Sequence, residues 1–202
     1  GGGRDGVLEP GRRQPAAARE QHAGALVVGL LREPDRLVAI ENHPEEAAAL
    51  KLALKRFGRA PVVEADGYAR LPALLPPPER RGLILIDPPY EAPDEFSRAA
   101  RSVAEITRRF ATGIVVVWFP VKSAAAANAF SGEVLQAGVR KMMRVDIKTG
   151  AEGERMASAG LLVVNPPFGF EGEMREVLAV IAPRLGRSGP AKTQLIWLAG
   201  SE

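Results

Sequence analysis

The chain lacks cysteine altogether, and only two of its 202 residues are histidine. Without cysteine there are no disulfides, no thiolate metal sites and no cysteine nucleophile, which fits a cytoplasmic setting. His22 and His43 are isolated, and neither has an acidic residue at metal-binding spacing on one helix face. We therefore expect no metal in the chemistry of this chain.

Long apolar stretches are also missing. No run of about 18 uninterrupted apolar residues occurs, and the N-terminus lacks the basic-then-apolar layout of a signal peptide. We therefore expect neither a membrane span nor a membrane partner. Lys and Arg number 27 against 24 Asp and Glu, so the bulk charge gives only weak support for a nucleic-acid-binding face.

The hydrophobic content of 46% and the length suit one α/β domain. Residues 1–25 are rich in Gly, Arg, Ala and Pro without a hydrophobic period, which predicts a disordered or atypical lead before a domain over 26–202. Apolar runs then alternate with helical segments such as "HPEEAAALKLALKRFG", where Pro44 and Gly58 mark the ends. This rhythm predicts a mostly parallel sheet, with an antiparallel edge formed by the tail.

Three predicted strands end in an acid, namely Glu41, Asp66 and Asp87. A single acid in that position is more often a helix cap, but three in succession favour a ligand site, because ligands bind beyond the carboxyl ends of parallel strands. Glu41 suits a ribose diol. Asp66, with the flexible Gly67 beside it, suits an exocyclic amine of the same ligand.

The turn Asp87-Pro88-Pro89-Tyr90 has a more specific chemistry. Its prolines fix φ and remove two N–H donors, so the turn offers acceptors only. Such a turn matches a flipped adenine whose amine donates to Asp87 and to the Pro88 carbonyl while its ring stacks on Tyr90. The alternative is a rigid turn without chemistry, and the Asp and Tyr flanks favour the functional interpretation.

These residues resemble the adenine-N6 methyltransferases, whose hallmark is a [DNS]-P-P-[YFW] turn in a class I, Rossmann-like fold dependent on S-adenosylmethionine. More narrowly, the chain resembles the RlmJ family, which methylates an adenine of 23S ribosomal RNA in bacteria. The likeness lies in these segments: "LLREPDRLVAIENHPEE", "VVEADGYARL", "PPPERRGLILIDPPYE", "RRFATGIVVVWFPV", "MASAGLLVVNPPF" and "IWLAG".

The resemblance implies a role for each matching residue. Asp87 would be the catalytic acceptor, with Pro88, Pro89 and Tyr90 around the target base. The residues that would bind S-adenosylmethionine are Glu41, Asp66 and Gly67. The implied partner is 23S ribosomal RNA, taken as protein-free, and the implied state is a monomer.

Two N-terminal motifs of the family are not present in the chain: a His- and Lys-containing "H-A-G-N-x-A-D-x-x-K" segment and a Gly-rich loop. The Gly-rich "D-x-H-A-G-x-G" loop follows the first, central strand in the family, so the resemblance implies a sheet that lacks this strand. We therefore expect the 202 residues alone to bind S-adenosylmethionine weakly or not at all.

A second turn, Asn165-Pro166-Pro167-Phe168, nearly repeats the first. Asn replaces Asp in some N6-adenine enzymes, so its acceptor chemistry is suitable. It follows the late strand pair, however, and we expect it to end that strand and to place Phe168 at an RNA-facing rim.

Other functions remain open at the level of sequence. The same chemistry on DNA adenine is the nearest, and a non-catalytic RNA-binding remnant of the fold is the second. A nicotinamide-dependent oxidoreductase shares the α/β layout but leaves "DPPY" unexplained. A C5-pyrimidine methyltransferase of the usual type is excluded because it needs a cysteine nucleophile.

Overall fold

The computed structural model describes residues 29–58, 60–150, 157–187 and 189–200. These residues form two compact units that divide between Arg70 and Leu71. The predicted lead over residues 1–25 lies outside the described residues, and the domain boundary at residue 26 stays a prediction. No described helix has both the length and the apolar character needed to span a membrane.

The first unit contains a two-stranded parallel sheet. Its elements are β1 (Ala39–Glu41), α1 (Pro44–Leu54), a 3-10 turn (Lys55–Phe57), β2 (Val62–Glu64) and α2 (Gly67–Arg70). Helix α1 starts with Pro44 in its first turn, and the chain leaves the following 3-10 turn through Gly58, whose φ of 63° suits glycine. The sequence therefore located both ends of this segment.

The second unit is built on a five-stranded sheet. Its elements are a 3-10 turn (Leu71–Leu74), β3 (Leu83–Ile86), α3 (Glu95–Arg109), β4 (Ile114–Pro120), α4 (Ala124–Gln136), β5 (Met142–Lys148), β6 (Ser158–Val164), α5 (Phe170–Leu185) and β7 (Lys192–Ala199). The strand order is β3-β4-β6-β5-β7. Strands β3 and β4 pair in parallel, and the other three pairs are antiparallel.

This arrangement confirms the predicted α/β class and the antiparallel edge in the tail. The antiparallel region is broader than the sequence suggested, because β6 inserts between β4 and β5. At the other end of the sheet, the described residues pair β3 with β4 alone. Leu83 and Leu85 of β3 are 63% and 52% exposed.

One face of the larger sheet packs on α3 and α4 through aromatic rings. Strand β4 alternates buried and half-buried residues, as period 2 requires. The buried Phe119 ring lies 5.1 Å from Phe130 of α4 and 6.5 Å from Phe96 of α3, measured between centroids. Gly160 of β6 lies opposite Phe119, and a Cβ there would stand 2.4 Å from the ring. The absence of a side chain at Gly160 lets this ring lie against the strand.

A charged residue is also buried between β5 and α4. Arg144 is only 4% exposed, and its Nη1 donates to Asn128 Oδ1 at 2.9 Å and to Ser131 Oγ at 3.4 Å. Its Nε lies 3.0 Å from Oδ2 of Asp146, two residues along the same strand. Helix α4 is thereby tied to β5 by a polar cluster inside an otherwise apolar layer.

Candidate active site

Asp87 occupies the first position after β3. Strand β3 runs parallel to β4 with Ile86 opposite Val117, so the Asp87 turn lies beside the last residues of β4. This is the carboxyl end of a parallel strand pair, where α/β sheets bind ligands. The predicted catalytic turn therefore lies at the sheet edge where α/β folds bind ligands, and its catalytic role stays a prediction.

The carboxyl group of Asp87 has a perturbed environment. The surrounding protein removes water from it, and this burial raises the pKa of the Asp87 carboxyl. By its accessible surface the residue is nevertheless exposed, so the carboxyl is only partly desolvated. None of the described residues donates a hydrogen bond to it or pairs with it. Asp87 is thus a partly dehydrated acceptor that a ligand can still reach.

Tyr90 anchors the same turn to β4. Its hydroxyl donates to the Trp118 carbonyl oxygen at 2.8 Å, and its ring centroid lies 4.7 Å from that of Phe96. The residue is 8% exposed and adopts a φ of 53°, an uncommon value outside glycine. In this conformation the ring faces the interior. Its stacking on a base stays a prediction.

Trp118 lies close to this turn, and Lys122 follows the neighbouring strand; neither was singled out from the sequence. The half-buried Trp118 has its ring centroid 6.0 Å from that of Tyr90. Lys122 follows β4 by two residues and is exposed. Both residues lie at the carboxyl end of a predicted strand, and this position could have marked them as candidates for the site.

In the first unit, Glu41 and Asp66 follow the two paired strands. Glu41 ends β1, and its Oε1 accepts a hydrogen bond from the His43 amide at 2.7 Å. Its Oε2 receives no hydrogen bond from the described residues. Asp66 caps the short helix α2, because its Oδ1 accepts from the Tyr68 amide at 2.9 Å. Asp66 therefore acts as a helix cap, which was the alternative to a ligand-binding role.

Gly67 opens α2 beside Asp66. No heavy atom of the described residues stands within 4 Å of the position that a Cβ would occupy there. The space next to Gly67 is therefore free, and one Glu41 oxygen is available to a hydroxyl donor. These two features fit the nucleoside part of a cofactor at the carboxyl ends of β1 and β2.

Asn165 lies at the opposite end of β4 from Asp87. Strand β6 runs against β4, and the Asn165 amide group donates to the carbonyl oxygens of Ala111 at 2.8 Å and Gly113 at 2.9 Å. From Gly113 to Trp118 the strand rises by about 16 Å at roughly 3.3 Å per residue. The two proline turns therefore do not share a site, and the amide of Asn165 is committed to loop carbonyls.

Metal ligation has no structural candidate in the part of the chain that the structure covers. No group of three or more His, Asp or Glu side chains is placed there to hold an ion.

The comparisons with known proteins agree with one another. A family described as "Ribosomal RNA large subunit methyltransferase D, RlmJ" matches residues 21–199. Ribosomal RNA large subunit methyltransferase J of Escherichia coli (strain K12) is 36% identical over 171 residues, which cover 84% of this chain and 61% of that protein. The protein of the same name from Haemophilus influenzae is 30% identical over 181 residues, or 88% of this chain and 64% of that protein.

Among solved structures, protein LPL1258 from Legionella pneumophila str. Philadelphia 1 superposes with a TM-score of 0.77 and 32% identity. The match covers 85% of this chain and 64% of that one. The chain thus spans about three fifths of the length of the relatives it matches.

Proposed function

Because the chain belongs to the RlmJ family of ribosomal RNA large subunit methyltransferases, we propose that its site transfers a methyl group from S-adenosylmethionine to N6 of an adenine in 23S ribosomal RNA. The chain covers only part of its relatives' length, so the activity is proposed for the gene product that carries these residues. The supporting observation is Asp87, a partly desolvated carboxylate directly after β3 that receives no hydrogen bond from the described residues.

The chemistry follows from an acceptor-only turn. The adenine amine donates its two hydrogens to the Asp87 carboxylate and the Pro88 carbonyl, which directs the nitrogen lone pair outward. S-adenosylmethionine supplies the electrophilic methyl group. When bound, it would give this methyl group to the amine nitrogen and leave as a neutral thioether. The methylated amine is then acidic and loses a proton to water, so the turn needs no strong base.

The remaining residues would position the turn and bind the cofactor. Pro88 and Pro89 hold the turn without competing donors, and the Tyr90 hydroxyl ties it to the Trp118 carbonyl. Contact between the Tyr90 ring and the base requires the ring to rotate outward from Phe96. Glu41, through its available Oε2, and Asp66 with the open space at Gly67 would hold the nucleoside of S-adenosylmethionine.

The test compares the two proline turns in the gene product that carries these residues. We expect Asp87→Ala to reduce transfer of radiolabelled methyl into protein-free 23S ribosomal RNA from an unmethylated strain by at least about 100-fold, because it removes the charged acceptor. Asn165→Ala is the matched control and should leave transfer largely intact after correction for the folded fraction. Loss of transfer in Asn165→Ala with retention in Asp87→Ala would refute the assignment.

The same assay separates the alternatives. Label in duplex DNA but not in ribosomal RNA would identify a DNA adenine methyltransferase. RNA binding without label in the intact protein would identify a non-catalytic remnant. A monomer acting in the cytoplasm on protein-free RNA remains part of the proposal, and assembled large subunits serve as the competing substrate.

A further inference from the structure

The turn that does not serve the chemistry carries the most exposed aromatic ring among the described residues. Phe168 is 93% exposed. Its backbone is held on both sides, by the hydrogen bonds of Asn165 and by Phe170, whose amide donates to the Pro167 carbonyl at 3.2 Å. Gly169, at a φ of 79°, then opens α5. A ring on so constrained a turn loses little conformational entropy when it binds.

Basic residues from the last turn of α3 and from the segment before β5 lie at the same end of the sheet. The Asn165 amide hydrogen bonds to Ala111 and Gly113 bring in the loop after Arg108 and Arg109. The Asn165 backbone N–H donates to the Lys141 carbonyl at 2.9 Å, which brings in Arg140 and Lys141. We refer to this set as the Phe168 surface: Arg108, Arg109, Arg140, Lys141 and Phe168.

The charge of the Phe168 surface is only partly compensated. Arg108 and Arg109 share one carboxylate, Glu105, and their hydrogen bonds lower the pKa of Glu105, so it stays ionised. Arg140 donates to the carbonyl oxygens of Leu135 and Val139, and the described residues offer neither Arg140 nor Lys141 an ion pair. The first turn of α5 adds two acids, the half-buried Glu171, which pairs with Arg175, and the exposed Glu173. The four cations of the surface thus outnumber these three acids, of which Glu171 already pairs with a cation outside the surface.

We propose that the Phe168 surface binds single-stranded RNA outside the catalytic turn, with an unpaired base stacked on Phe168 and phosphates on Arg140 and Lys141. Exposed aromatics between cations are the means by which proteins hold single strands, since every base has a face that stacks. A protein partner fits less well, because protein interfaces bury clusters of apolar residues and avoid lysine at their centre. The proposal rests on the ribosomal RNA substrate proposed above and adds a second contact to it.

Equilibrium fluorescence anisotropy with a labelled oligouridylate, without cofactor, tests this surface in the full chain. Phe168→Ala should weaken binding about 5-fold to 100-fold, and Phe168→Trp should retain it. Val180→Ala, an exposed apolar position on α5, is the matched control and should bind like wild type. A duplex hairpin should show little dependence on Phe168, because its bases are already stacked.

The cations are tested through salt dependence. The double variant Arg140→Gln with Lys141→Gln should make the plot of log affinity against log salt shallower. Its slope should fall in magnitude by about 1.4, or about 0.7 per lost phosphate contact on a single strand. Arg184→Gln, a change of charge elsewhere on α5, should leave the slope unchanged. Thermal unfolding of each variant checks that the fold is kept.

The outcomes distinguish this inference from the proposed function. RNA binding that depends on Phe168, together with no methyl transfer to any RNA, would sustain the surface and refute the enzyme. Methyl transfer with unchanged binding in Phe168→Ala and in the double variant would refute the surface. A change in sedimentation in Phe168→Ala with unchanged RNA affinity would assign the surface to protein association and also overturn the proposal.

Discussion

The carboxyl group of Asp87 gives up water to the surrounding protein, and the described residues provide no hydrogen-bond donor in return. Such an arrangement opposes folding, because an ionised carboxylate is favoured by solvation. Acids placed in this way are frequent at functional sites, where a ligand completes the missing contact. The position is thus better explained by substrate recognition than by stability.

We predict that Asp87→Asn raises the melting temperature at pH 7 while it impairs methyl transfer. Burial raises the pKa of the Asp87 carboxyl, so the folded chain holds that proton more tightly than the unfolded chain. The free energy of unfolding therefore falls as the pH rises from the usual value for Asp, about 3.9, through the raised value. Thermal unfolding should show the gain at pH 7 and a smaller one near pH 3. A lower melting temperature in the variant at pH 7 would contradict this.

At the scale of elements, the polar cluster at Arg144 joins β5 to α4. Burial raises the pKa of Asp146 more than the neighbouring Arg144 lowers it. Burying a charge between β5 and α4 costs solvation free energy. The Arg144 guanidinium is kept there by its contact with Asp146 on the same strand and by its hydrogen bonds to Asn128 and Ser131.

We predict that Asp146→Ala lowers the free energy of unfolding in urea by about 3 to 5 kcal/mol, because it leaves the Arg144 guanidinium buried without its partner. The double variant Arg144→Met with Asp146→Leu should lose clearly less than the single one. Glu105→Ala breaks the exposed pairs with Arg108 and Arg109 and is the matched control, for which we expect a far smaller change. A loss of less than about 1 kcal/mol in Asp146→Ala would show that the pair is not a buried ion pair.

Most helices and strands of the described chain could be predicted because their signals are local. Apolar runs marked the strands, and Pro44 and Gly58 marked the α1 segment. The insertion of β6 between β4 and β5 could not be predicted, because strand order depends on pairings distant in sequence. The short helix α2 was also missed, although Asp66 is a standard cap.

Within the candidate site, residue types and their positions along strands could be predicted from the sequence, but side-chain partners could not. The chemistry of its turn was enough to predict Asp87 as a site residue. The commitment of the Asn165 amide to Ala111 and Gly113, more than 50 residues away, is visible only in the structure. The same holds for the inward ring of Tyr90, because a Tyr after two prolines suits either orientation.

At the scale of the whole molecule, the two compact units divide the proposed functions between them. The first carries the residues assigned to the nucleoside, Glu41, Asp66 and Gly67. The second carries the catalytic turn at one end of its sheet and the Phe168 surface at the other. A ribosomal RNA that contacts both the catalytic turn and the Phe168 surface must therefore extend along β4, over about 16 Å or more.

Strand β3 has a consequence for the behaviour of the isolated 202-residue chain in solution. Leu83 and Leu85 project from the same face of this strand and are exposed, which is typical of surfaces that associate. We predict that sedimentation velocity will show concentration-dependent self-association, and that Leu83→Lys with Leu85→Lys will reduce it at little cost in folding stability.

Ile86, on the same strand, is buried, so Ile86→Lys should instead unfold the second unit and serves as the contrasting variant. A wild-type chain that stays monomeric at all concentrations would contradict the prediction. RNA titrations on the isolated 202-residue chain must therefore be run at protein concentrations below the onset of self-association, so that RNA affinity is measured separately from aggregation.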